Sequence, residues 1–280
     1  MSKLKKALDK AKAAREGEGP LFDQGPGIEQ EAVDVRSEEA MPSSEEVKPS
    51  YKRTQVFEAD YSFLKKNKIT ALFPQEAAAD QIRFLRTRIL KRMKEPEANS
   101  LLVTSANQGE GKTLMAINLA VSISQEIGRT VLLVDADLRK PSVHNYFGFE
   151  VKFGLTDYLL GKADIPDLLV NPGIEKLTII PGGQPLPNST ELLGAPRMEA
   201  LVKQLKGRYS DRFIIFDSSP VLTCADPIVF SNFIDRVILV VEAEKTSRKE
   251  LTNALEFFKD KPVLGTVLNK VKGAPNLSYV

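Results

Sequence analysis

Ser100-Leu101-Leu102-Val103-Thr104-Ser105-Ala106-Asn107-Gln108-Gly109-Glu110-Gly111-Lys112-Thr113 is the stretch on which the fold turns. Its first six residues form a short, mostly apolar run that reads as a buried strand. The next residues hold two glycines, which let a backbone curl so that successive N–H groups point inward. From Thr113 to Ile127 the chain is rich in helix-forming apolar residues. A strand, a glycine loop and a helix N-terminus in that order make a cradle for an anion. The loop amides and the positive end of the helix dipole both face the same point.

Lys112 and Thr113 give the cradle its chemistry. The run 106–113 fits the Walker A pattern with Ala106 in place of the first glycine. Lys112 is then expected to reach β- and γ-phosphates, and the Thr113 hydroxyl to ligate Mg2+. The candidate nucleotide-contacting set is Asn107, Gln108, Gly109, Glu110, Gly111, Lys112, Thr113 and Leu114, with ATP and Mg2+ as the expected cofactors.

Working outward, Thr130–Asp135 is a second buried strand, ending in Asp135-Ala136-Asp137-Leu138-Arg139. Phe213–Asp217 is a third and also ends in an acid, followed by Ser218-Ser219-Pro220. Further strands are expected at Leu177–Ile180, Val237–Val241 and Val263–Leu268, and a helix at Ala77–Met93. Continuous apolar strands separated by helical stretches predict an α/β fold, a mostly parallel sheet with helices on both faces. In such sheets ligands bind beyond the carboxyl ends of the strands, so Asp135, Asp137 and Asp217 are expected to converge on the phosphates and metal.

Composition narrows the function classes. Lys and Arg total 39 against 37 Asp and Glu, a net charge of +2, which gives no general attraction to nucleic acid. Cys224 is the only cysteine, so an intrachain disulfide is excluded and a reducing, cytoplasmic setting is expected. No apolar run approaches the roughly 20 residues that span a bilayer, and the start Met1-Ser2-Lys3-Leu4-Lys5-Lys6 lacks the apolar core of a signal peptide.

Three parts are expected along the chain. Residues 1–16 read as a basic amphipathic helix, with Leu4, Leu8, Ala11 and Ala14 at helical spacing among lysines. Residues 17–75, acidic and at first rich in Gly and Pro, read as a largely disordered linker. Residues 76–280 read as the nucleotide-binding domain with a short C-terminal tail.

With these residues in view, the stretch from about Asp80 to Val271 resembles the bacterial tyrosine kinases of capsule and exopolysaccharide systems, whose P-loop fold is related to the MinD/ParA ATPases. The resemblance rests on Thr104–Thr113, on Asp135-Ala136-Asp137-Leu138-Arg139-Lys140-Pro141, on Asp217-Ser218-Ser219-Pro220 and on Pro187-Asn188-Ser189-Thr190-Glu191-Leu192-Leu193. It implies a tyrosine autokinase that regulates polysaccharide polymerisation or export. In it Asp135 and Asp217 hold the metal's water shell, and Asp137 orients or deprotonates the incoming hydroxyl. Arg139 steadies that loop or a substrate, and Asn269 contacts the base. Asp80, Arg83 and Arg86 resemble the family's oligomerisation helix, implying a homo-oligomer, with a ring as one form of it. The resemblance also implies a separate membrane activator of the polysaccharide co-polymerase kind, which recruits the chain to the inner face of the membrane.

Two positions set this chain apart. Asn107 stands where the MinD/ParA ATPases carry a signature lysine. The C-terminus, Ala274-Pro275-Asn276-Leu277-Ser278-Tyr279-Val280, holds one tyrosine where the family usually has a cluster, leaving Tyr279 as the expected phosphoacceptor. A second function class, a non-kinase ATPase switching its binding to a membrane or partner, is favoured by that single tyrosine.

Overall fold

The computed structural model describes residues 54–94, 98–209 and 211–273. The expected N-terminal helix, most of the acidic linker and Tyr279 lie outside the described residues. Eight strands form one sheet: β1 (Gln55–Val56), β2 (Ser100–Ser105), β3 (Thr130–Asp135), β4 (Val170–Asn171), β5 (Leu177–Ile180), β6 (Arg212–Asp217), β7 (Arg236–Glu242) and β8 (Val263–Asn269). Their spatial order is β1-β4-β5-β3-β6-β2-β7-β8. Every neighbouring pair is parallel except β4 with β5.

Strand residues alternate between two apolar cores, which is why the strands read as unbroken apolar runs. Leu101, Val103, Val131, Leu133 and Ile215 enter one core, and Leu102, Leu132, Val134, Ile214 and Phe216 the other. Successive side chains on a strand point to opposite faces, so a sheet covered on both sides needs apolar residues at every position. One face is covered by α2 (Ala77–Arg92) and α3 (Lys112–Ser124), the other by α8 (Pro196–Gly207). Phe213, Phe216 and Phe230 are among the largest fully buried side chains. Each stabilises the fold by roughly 1.5–3 kcal/mol relative to exposure.

The expected linker boundary at residue 75 is corrected by the structure. Residues 54–72 form β1, the short helix α1 (Tyr61–Lys66) and a 3-10 turn at Thr70–Leu72. Asp60 caps α1, its Oδ1 accepting from the amides of Ser62 and Phe63 at 2.9 and 3.1 Å. Leu64, Ile69 and Ala71 are buried in the core beside α3. The buried Asn118 of α3 fastens this strap. Its Oδ1 accepts from Ala71 N at 3.0 Å and Thr70 Oγ1 at 3.2 Å, and its Nδ2 donates to the carbonyls of Lys68 and Leu114, each at 3.0 Å.

Candidate active site

Elements ending at one rim of the sheet assemble the site. β2 runs into the loop 106–111, and Gly109 and Gly111 take φ of +85° and +91°, a region that side-chain-bearing residues avoid. A Cβ at Gly111 would also collide with the Asn269 side chain. α3 then starts at Lys112, directing its amide end at the cradle. Because β3 and β6 pair in register with Asp135 opposite Asp217, both acids arrive at the same level.

Lys112 is the hub. Its Nζ lies 2.7 Å from Asp137 Oδ2, 3.6 Å from Asp217 Oδ1 and 3.2 Å from Thr113 Oγ1. Burial disfavours the ammonium, but Asp217, Asp137 and Asp135 outweigh it and hold its pKa above the ordinary lysine value. Asp137 is held on the other side by Ser219 Oγ, which donates to Oδ1 at 2.7 Å. Asp135 is fully buried, and its oxygens accept from the amides of Ser142 (2.8 Å), Val143 (3.0 Å) and Asp137 (3.3 Å). Burial, reinforced by the charge of Asp217, lifts its carboxyl well above the usual range against the pull of those amides. Asp217 is equally buried and neither oxygen makes a hydrogen bond. Burial raises its pKa too, opposed chiefly by Lys112 and pushed further by Asp137.

A cleft of about 410 Å³ opens over these groups, lined by Gly109, Gly111, Lys112, Thr113, Asp137 and Arg139 together with Gln108, Ser142, Tyr146 and Cys224. A second cleft, about 430 Å³, lies beside the loop and brings Leu114 and Asn269 together with residues of α2 and the 3-10 turn. Expected site residues line both hollows, while Asn107, Glu110, Asp135 and Asp217 line neither.

The structure gives several expected residues further contacts. Arg139 turns to the buried Asp226, meeting its two oxygens from Nε and an Nη, each at 3.1 Å, and touches Thr190 Oγ1. That contact fits the expected loop-steadying role, on a residue that also lines the cleft. Arg86 is spent inside the chain, donating to Ser122 O at 2.8 Å and pairing with Glu126 at 2.7 Å, so it docks α2 on α3. Asp80 and Arg83 remain on the surface, paired with each other. Asn269 donates its amide to Glu110 O at 2.9 Å.

Two partners of the loop, Thr246 and Glu250, were not evident from sequence. Glu110 turns a buried carboxylate back to Asn107 N at 2.8 Å and to the Thr246 hydroxyl. Asn107 Nδ2 donates to Glu250 Oε1 at 2.9 Å. Glu250 also closes a capping box on Ser247 at the start of α10 (Arg248–Glu256), and that box was its one local signal.

Comparison with known proteins agrees with this geometry. A family model described as an AAA domain matches residues 100–264. Tyrosine-protein kinase YwqD of Bacillus subtilis (strain 168) is 34% identical over 221 residues, covering 78% of this chain and 92% of that protein. Tyrosine-protein kinase etk of Escherichia coli (strain K12) is 31% identical over 74% of this chain but only 28% of its own length. Among solved structures, the kinase domain of Escherichia coli tyrosine kinase ETK superposes with a TM-score of 0.70 at 28% identity, over 81% of this chain and 93% of that domain. MinD from Pyrococcus horikoshii OT3, solved with Mg-ADP, gives 0.52 at 25% identity over 61% and 70% of the two chains. Since a match of 34% identity takes in most of this chain and nearly all of a curated kinase, the chain belongs to the bacterial tyrosine-protein kinases built on the P-loop fold.

Proposed function

We propose that the chain transfers the γ-phosphate of ATP to tyrosine hydroxyls, its own Tyr279 among them, and thereby regulates polysaccharide polymerisation or export. The observation that carries this reading is the meeting of Lys112 with Asp137 in the cleft and with the buried Asp217, at 2.7 and 3.6 Å. Phosphoryl transfer asks a protein mainly to position reactants and neutralise charge. Lys112 and the loop amides of residues 109–113 supply positive charge to the β- and γ-phosphates. Asp137 accepts the proton of the tyrosine hydroxyl once the phosphates draw Lys112 away from it. Ser219 and the amide of Lys140, at 3.2 Å, keep that carboxylate in place.

The residues fit Mg2+. The buried Asp217 lies beside the Lys112 ammonium and the Thr113 hydroxyl without a close hydrogen bond from either, an arrangement that suits a hydrated cation. Among the described residues no group of three or more His, Cys, Asp or Glu could hold a metal ion; Mg2+ commonly keeps waters and substrate phosphates among its ligands. Thr113 and Asp217 would hold it, with Asp135 contributing charge, and when bound it neutralises the phosphates. Leu114 and Asn269, which line one cleft, are proposed to contact the base, Asn269 Oδ1 suiting an exocyclic amine. MinD with its Mg-ADP supports the same nucleotide class.

The proposal extends to assembly. Asp80 and Arg83 are offered for contact with a second copy in a homo-oligomer, while Arg86 sets the angle of their helix. A separate membrane activator would recruit the chain to the inner face of the membrane. The much longer etk chain supports this, because there the matching part is a minor fraction of the protein. Among the described residues no helix is long and apolar enough to cross a membrane. The test is phosphotyrosine mapping after incubation with Mg-ATP, in wild type and Tyr279→Phe. Phosphate concentrated at Tyr279 supports the acceptor assignment. Equal phosphate in both removes it, and none in either, even with the activator's cytosolic segment present, favours an ATPase switch.

A further inference from the structure

Most carbonyls of the phosphate loop have partners on its outer side, at the buried Ala106 and Glu110 and at the exposed Gly109 alike. Ser105 O and Ala106 O accept from the amides of Val221 and Leu222, at 2.8 and 3.1 Å, and Gly111 O from Met115 N at 2.9 Å. Asn107 O accepts from Ser105 Oγ at 2.8 Å. The two carbonyls at the crown of the loop are different: they depend on side chains from the end of β8. Glu110 O takes Asn269 Nδ2 at 2.9 Å, and Gly109 O takes the ammonium of Lys270 at 2.7 Å.

Lys270 is held for this contact at a cost. Its φ is +59°, in the left-handed region that a side-chain-bearing residue rarely adopts. Such outliers persist where the surroundings over-determine them, and an observed one is grounds for a functional hypothesis. Its Nζ is fixed from the opposite side by Glu242 Oε2 at 3.0 Å, at the end of β7. The segment that follows β7 holds the loop again, through Thr246 in the turn on Glu110 and through Glu250 in the next helix on Asn107.

The geometry points to Lys270 as a positioning residue for nucleotide binding: through the Gly109 carbonyl it fixes the peptide whose N–H is that of Glu110, aiming it into the phosphate cradle. An ammonium on the carbonyl also polarises that peptide, making its N–H a stronger donor to an anion. Lys270 touches no substrate itself. Its effect falls equally on ground and transition states, so it tunes affinity more than the rate at saturation. This inference rests on the nucleotide reading of the loop, but not on tyrosine being the acceptor.

The test is calorimetric binding of Mg-ADP to the full chain, alongside thermal melting without nucleotide, for wild type, Lys270→Gly, Lys270→Ala and Lys270→Arg. Lys270→Gly removes the ammonium and also relieves the left-handed backbone, so it should melt close to wild type yet bind Mg-ADP about tenfold more weakly. Lys270→Ala should weaken binding similarly while melting lower, and Lys270→Arg should recover most of the affinity. ATP turnover at saturation should change less than threefold in Lys270→Gly. If Lys270→Gly binds Mg-ADP within twofold of wild type, Lys270 is a structural residue only and the proposal fails. If wild type itself binds no Mg-ADP, the nucleotide reading of the loop fails and takes this inference with it. Loss of tyrosine phosphorylation alone would overturn the kinase reading and leave this one standing.

Discussion

Lys112 and Asp137 are in contact across the floor of the cleft, Nζ to Oδ2 at 2.7 Å. The lysine expected at the phosphates thus pairs with the carboxylate proposed to receive the tyrosine proton, and phosphates would compete for the same ammonium. The two residues are neighbours only because α3 begins where β2 ends and β3 lies one strand beyond β6 in the same sheet.

Lys112→Met should abolish nucleotide turnover. It also strips the buried Asp137 and Asp217 of their counter-ion, so the variant should be less stable by about 3 kcal/mol at pH 8, with a smaller loss at pH 6, where Asp217, its pKa raised by burial, can take a proton. Denaturant unfolding at the two pH values checks this. Normal turnover in a folded variant would remove Lys112 from the mechanism.

Asp137→Asn keeps the shape and the Ser219 contact but cannot accept a proton. Transfer to tyrosine should fall roughly 10²–10⁴-fold while Mg-ADP affinity stays within a few-fold. A variant that loses affinity yet transfers normally at saturation would assign Asp137 to binding instead.

Burial raises the carboxyls of Asp135 and Asp217 above their ordinary value of 3.8. The folded chain therefore holds protons that the unfolded chain releases. That contribution to stability is complete below about pH 4 and is lost as pH rises through the raised folded values. The nucleotide-free protein should lose stability on going from pH 5 to pH 8. Asp217→Asn should flatten that slope and, at pH 8, be more stable than wild type by about 2 kcal/mol. An unchanged slope in the variant would show that the pair is not the source.

The strap at residues 54–72 should be part of the folded domain. A chain shortened to begin at Thr54 should unfold like the full chain. One beginning at Glu76 loses the burial of Leu64, Ile69 and Ala71 and leaves the buried Asn118 amide short of partners. These losses should sum to about 5 kcal/mol. Asn118→Ala alone should cost about 2–3 kcal/mol. Equal denaturant midpoints for the two shortened chains would contradict this.

Much of this was legible from residues in a row. The strands that flank the cleft are continuous apolar runs, and Asp135, Asp137 and Asp217 announce themselves at strand ends beside a glycine loop. The strap was not legible, because a two-residue strand and a six-residue helix carry no usable periodicity, and Lys65, Lys66 and Lys68 interrupt its apolar positions. Nor were the outer fastenings of the loop. Glu110 with Thr246 and Asn107 with Glu250 are pairs more than a hundred positions apart, and only the sheet order brings them together. Arg86 was visible as part of a charged helix face, but its partner Glu126 lies on the next helix, so sequence alone pointed it outward.

The most direct test of phosphoryl transfer at this cleft is intact-mass analysis and phosphotyrosine mapping of the full chain after incubation with Mg-ATP, beside Lys112→Met treated identically. The expected result is added phosphate on tyrosine in wild type and none in the variant. Phosphotyrosine of equal extent in both, or ATP consumed by wild type with no tyrosine phosphorylated even when the activator's cytosolic segment is supplied, would contradict it.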